Sequence, residues 1–105
     1  MNQEIHERLQ KISERLKKEY HAEKVILFGS YDTGDATEDS DVDLFIIAPT
    51  TERFFERMAT VLGLVRDLYN GLALSPIILQ PEEVSERLKR GDQFVKQIIE
   101  HGIYL

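Results

Sequence analysis

Two short runs of consecutive apolar residues constrain this chain more than any other feature. They are Val25-Ile26-Leu27-Phe28 and Val42 to Ala48, the second broken only by Asp43. Each is too short for a helix, and unbroken apolar residues of this length suit a buried strand. Gly29-Ser30 closes the first run and Pro49 stops the second. Residues 29–40 between them are rich in Gly, Ser, Thr and Asp and read as a loop.

The flanking segments carry helical periodicity. Ile5, Leu9, Ile12, Leu16 and Tyr20 fall at steps of three and four, the stripe of an amphipathic helix. Thr50 or Thr51 is placed to cap a second helix running to about residue 70. Phe54, Phe55, Met58, Leu62, Val65, Leu68 and Tyr69 would form its apolar face, and Gly63 in its middle suggests close packing against the sheet. Leu72 to Leu79 is a third strand, and Pro76, which cannot donate to a ladder, places it at a sheet edge or on a bulge. Pro81 opens a short helix with Glu82 and Glu83 in its first turn. Asp92 caps a last helix that ends at Gly102. The order α-β-β-α-β-α-α predicts an α/β (α+β) fold, a small mixed sheet of about three strands packed by helices. The helix-free loop suits antiparallel pairing of the first two strands, and the helical connection suits a parallel crossover to the third.

At 105 residues the expectation is one domain spanning 1–105. A chain this short buries only about 60–70% of its unfolded surface, so its thin core suits a partner or a homo-oligomer. The absence of Cys excludes a disulfide scaffold, a thiolate zinc site and a Cys nucleophile. No apolar run approaches the roughly 18 residues of a membrane span, and Met1 to Leu16 mixes charge with apolar residues, unlike a signal peptide. The expected location is the cytoplasm.

Charge is unevenly spread. The net charge is −6, and Val25 to Thr51 holds six acids (Asp32, Asp35, Glu38, Asp39, Asp41, Asp43) with no Lys or Arg. The rest of the chain is balanced. Such a window repels a nucleic-acid backbone and attracts cations, which disfavours a nucleic-acid binder. Within it, Asp41 and Asp43 lie two apart at the start of the second strand, a spacing that points both carboxylates to one face. Adjacent like charges need a reason. A divalent cation is the usual one, and two carboxylates with substrate phosphates suit Mg²⁺. If the first two strands are antiparallel, Gly29-Ser30 lies beside these acids. Gly admits close backbone approach to a phosphate, and N–H and hydroxyl groups can hold its oxygens. A phosphate cradle beside a metal clamp is the equipment of phosphoryl or nucleotidyl transfer.

Simpler readings exist for each part. Asp-x-Asp is often solvated surface, and Gly-Ser often only a turn. An EF-hand is rejected, because its sixth and twelfth positions would be Leu44 and Thr50. A P-loop lacks its Gly-Lys-Ser/Thr. His6, His21 and His101 have no ligand-spaced partner and read as surface residues. Tyr31 could stack on a base or simply cover the loop.

Gly29-Ser30, ten residues, then Asp41-Val42-Asp43 resembles the signature of the DNA polymerase beta-like nucleotidyltransferase superfamily. The stretch Leu27 to Tyr31 with Gly34, Ala36 and Ser40 to Leu44 is similar to its minimal nucleotidyltransferase (MNT) family. The resemblance implies binding of a nucleoside triphosphate, here expected to be ATP, with Mg²⁺. It implies transfer of the nucleotidyl group to a hydroxyl and release of pyrophosphate. It makes Gly29 and Ser30 nucleotide-binding residues, and Asp41 and Asp43 catalytic metal ligands. Many minimal members are antitoxins paired with a HEPN-type helical toxin, and some add AMP to a Tyr of that toxin. Two positions depart from the pattern. The third carboxylate of active members falls at Ser75, and an Arg expected four residues after the motif Gly is Thr33. The alternative is therefore a weak or inactive nucleotide-binding module that acts on a helical partner by binding alone.

Overall fold

The computed structural model describes residues 3–29, 41–69 and 71–105. In order they form α1 (Gln3–Glu19), β1 (Lys24–Phe28), β2 (Val42–Ile47), α2 (Phe54–Leu64), β3 (Leu74–Leu79), α3 (Pro81–Lys89), α4 (Gln93–His101) and β4 (Ile103–Tyr104). Among the described residues the sheet has four strands in the order β3-β2-β1-β4. β1 is antiparallel to both β2 and β4, and β2 is parallel to β3 through α2. The antiparallel and parallel pairings follow the sequence reading. The short β4 adds to it: two residues carry no periodicity of their own and form a strand only because β1 offers a free edge.

Helices cover both faces, which is why the strands read as apolar runs rather than as alternation. Val25, Leu27, Val42, Leu44, Ile46 and Ile78 pack on Leu9, Ile12 and Leu16 of α1 and on Val61 and Val65. On the other face Ile26, Phe45, Ile47 and Leu79 pack on Val84 of α3 and Val95 and Ile98 of α4. The end of the chain is fastened to α1, where Ser13 Oγ and Lys17 Nζ donate to the Leu105 carbonyl at 3.3 and 2.9 Å. Pro76 sits in β3, an edge strand, where one side of the ladder is open.

The second helix departs from expectation. It begins at Phe54 after Arg53, with no side-chain cap. The Thr50 hydroxyl is engaged in the preceding loop, accepting from the Glu52 N–H at 3.1 Å. The helix stops at Leu64, yet Val65, Leu68 and Tyr69 still reach the core from the turn that follows. Phe54, Phe55 and Met58 are not core residues: they are 41%, 84% and 37% exposed. Nor does Gly63 mark close packing, since a Cβ there would meet nothing within 4 Å. The helix turns one stripe, Arg57 and Val61, toward the sheet, and its remaining apolar residues exceed what that stripe can bury. By contrast, α3 starts at Pro81 with a Gln80–Glu83 capping box, and the Asp92 carboxylate accepts from the Val95 N–H at 3.1 Å. No helix among the described residues is long and apolar enough to cross a membrane.

Candidate functional site

The register of three strands builds the site. Antiparallel pairing sets Phe28 opposite Asp43, and parallel pairing sets Ser75 opposite Asp43 on the other side. Cβ atoms of directly opposed antiparallel residues lie about 5 Å apart on one face of a sheet. Phe28, Asp43 and Ser75 thus form a row across three strands, on the face that α3 and α4 cover farther along. The row lies at the amino ends of β2 and β3, beyond the packed residues Phe45, Ile77 and Leu79.

Gly29 follows Phe28 with φ +82°, and a Cβ at this position would stand 2.5 Å from Asp43 Oδ2. A side chain is therefore excluded twice, by the left-handed backbone and by the carboxylate. Asp41 is exposed just ahead of β2, where the Val42 N–H donates to the Ala73 carbonyl at 2.7 Å and fixes the strand start. Asp43 is half-buried. Burial, and then the charge of Asp41, push its carboxyl above the usual aspartate value. Such a pair is incomplete without a positive charge, and its oxygen donors beside an open backbone fit a hard divalent cation such as Mg²⁺.

Of the residues singled out in the sequence, Gly29, Asp41, Asp43 and Ser75 come together. Ser30, Tyr31 and Thr33, and the acids Asp32, Asp35, Glu38 and Asp39, lie outside the described residues. Among the described residues no group of three His, Cys, Asp or Glu side chains is arranged to hold a metal ion. Glu82 and Glu83 belong to the first turn of α3, at the far end of β3.

One neighbour of the site has no counterpart in the sequence reading. The rings of Phe28 and Phe94 meet edge to face, with centroids 5.7 Å apart. Val95 and Ile98 form the buried face of α4, and no local sequence pattern signals that Phe94, in the first turn, reaches the end of β1.

Residues 9–105 match the family model of the nucleotidyltransferase domain, and the chain belongs to this family. Two proteins of Methanocaldococcus jannaschii, each named "putative protein adenylyltransferase", are similar to it. One is 41% identical over 64 residues, covering 58% of this chain and 44% of that protein. The other is 30% identical over 89 residues, covering 83% of each. The chain thus spans less than half of the first relative's length. A crystal structure described as a "putative nucleotidyltransferase" from Sulfolobus solfataricus superposes with a TM-score of 0.51 at 22% identity, covering 82% of this chain and 81% of that one, and shares its fold.

Proposed function

We propose that this chain transfers AMP from ATP to a hydroxyl of a partner protein, with Mg²⁺ held by Asp41 and Asp43. The observation that carries the reading is the Gly29 backbone seated against the Asp43 carboxylate, with Asp41 beside it. Gly29, with Ser30 after it, would hold phosphate oxygens. The cation, when bound, would neutralise phosphate charge that the acidic window otherwise repels. In the transfer, the acceptor oxygen bonds to the α-phosphorus, the bond from that phosphorus to the bridging oxygen breaks, and pyrophosphate leaves. The acceptor's proton passes to water or to a group of the partner, because Ser75 is no base at neutral pH.

A protein acceptor is supported by the names of the relatives, each called a "putative protein adenylyltransferase". A helical partner of the HEPN type, neutralised as a toxin by this chain, follows from the resemblance. Exposed Phe54, Phe55 and Met58 on α2 give such a partner an apolar surface to cover. The second reading, binding without transfer, is favoured by Ser75 at the place opposite Asp43.

Incubation with labelled ATP and Mg²⁺ separates them, with the chain alone and co-expressed with its genomic neighbour. The proposal predicts label on the partner, slow or absent transfer by the bare chain, and faster transfer by Ser75→Asp. No label with either form, with the complex still assembled, would establish the binding module instead. Fast transfer by the native chain, unimproved by Ser75→Asp, would show that residue 75 is not the missing acid's place.

A further inference from the structure

Phe94 is 52% exposed although it lies in a helix whose Val95 and Ile98 are buried. It does not join the core. Its ring instead stands at 86° to that of Phe28, and Phe28 is directly opposed to Asp43. An edge-to-face pair leaves aromatic surface open to a third ring. The row from the sheet outward is therefore Asp43, Phe28, Phe94: a cation-binding carboxylate, an aromatic step, and a half-exposed aromatic ring.

The charge of this region makes that ring significant. Val25 to Thr51 holds six acids and no Lys or Arg, so no charged side chain of the window attracts a triphosphate, and positive charge there has to come from a bound cation. A nucleotide would need affinity from a part of it that carries no charge. Bases stack on aromatic side chains regardless of sequence, because every base presents a π-face.

We propose that Phe94, braced by Phe28, is the stacking platform for the nucleobase of the triphosphate whose phosphates lie at Gly29 and Asp43. The inference rests on the nucleotidyl-transfer reading above and adds to it a residue that holds the base. It assigns no preference among bases, since stacking alone reads none.

The test separates base from phosphates. Binding of ATP and of inorganic tripolyphosphate, each with Mg²⁺, is measured for the native chain, Phe94→Ala and Phe94→Trp. The platform predicts that Phe94→Ala weakens ATP about tenfold or more and leaves tripolyphosphate unchanged. The chain has no Trp, so Phe94→Trp supplies a single indole fluorophore. Its emission should be quenched by ATP and not by tripolyphosphate, with ATP affinity kept. Native-like ATP affinity in Phe94→Ala, or indole emission in Phe94→Trp that stays unchanged while ATP binds, would overturn the platform and leave the nucleotide site standing. A native chain that binds neither probe would overturn the nucleotide reading and the platform with it.

Discussion

The two ends of the central strands handle acidic side chains in opposite ways. At the carboxyl ends of β2 and β3, Glu52 and Glu83 are both held by donors. Arg57 is buried and donates to Glu83 at 2.7 Å, to the Ile78 carbonyl at 3.1 Å and to the Glu52 carbonyl at 3.0 Å. Glu52 accepts from Thr60 and, at 2.8 Å, from the Tyr20 hydroxyl, which holds its carboxyl below the usual value. Burial alone would raise Glu83, but the Gln80 N–H at 2.7 Å and the Arg57 guanidinium outweigh it and hold that carboxyl low as well. At the amino ends, Asp43 is raised by burial and by Asp41. One end is a closed structural joint. At the other, no donor among the described residues answers the Asp43 carboxylate, and its neighbour Asp41 carries the same charge.

The largest effect should come from breaking the closed end. Arg57→Ala takes the guanidinium from Glu83, which keeps the Gln80 N–H, and from the Ile78 and Glu52 carbonyls, and should cost about 2–4 kcal/mol. For a chain of this length that lowers the melting temperature by at least about 10 °C. Metal-dependent nucleotide binding, measured well below that temperature, should persist. Equal loss of both would mean that the two ends are not separable.

Next is Gly29→Ala. A left-handed backbone costs a non-glycine residue about 1–2 kcal/mol, and the new Cβ would displace the Asp43 carboxylate. Thermal melts should show that loss, and nucleotide binding should fall further than the melting temperature alone would explain. Unchanged binding would contradict the close approach of backbone to carboxylate.

The smallest effects depend on pH and have opposite signs. Asp43 has a raised carboxyl, so its favourable contribution is present below its ordinary value near 3.8 and is lost as the pH rises through the higher folded value. Metal-free Asp43→Asn should therefore be slightly more stable than the native chain at pH 7. The difference should close as the pH falls. Glu83 has a lowered carboxyl, so its contribution is present above about 4.5 and fades as the pH drops through the lower folded value. Glu83→Gln should cost stability at pH 7 and little at pH 3. Parallel pH profiles for the two variants, from melts across that range, would erase the contrast.

Which parts of this could be read in advance follows from range. Strands buried on both faces announce themselves as apolar runs, and caps such as Asp92 or Pro81 act on the next few residues, so β1, β2, α3 and α4 were legible. Ser75 was singled out through the resemblance, which puts the third carboxylate there; its register opposite Asp43 comes from the strand pairing. The long apolar stripe of α2 misled, because periodicity shows which residues share a face and not how much surface the core can take. Phe54, Phe55 and Met58 are left over for that reason. β4, the Arg57–Glu83 joint and the Phe28–Phe94 contact depend on elements meeting across long sequence separations, and no local pattern encodes them.

The proposed function makes the amino end of β2 a nucleotide site completed by a divalent cation. Calorimetric titration of ATP into the native chain tests it most directly, with Mg²⁺, with EDTA, and with Asp43→Asn in Mg²⁺. The account predicts binding in the first condition and its loss in the other two, with Asp43→Asn folded. Equal ATP affinity in Mg²⁺ and in EDTA, or undiminished binding by Asp43→Asn, would contradict it.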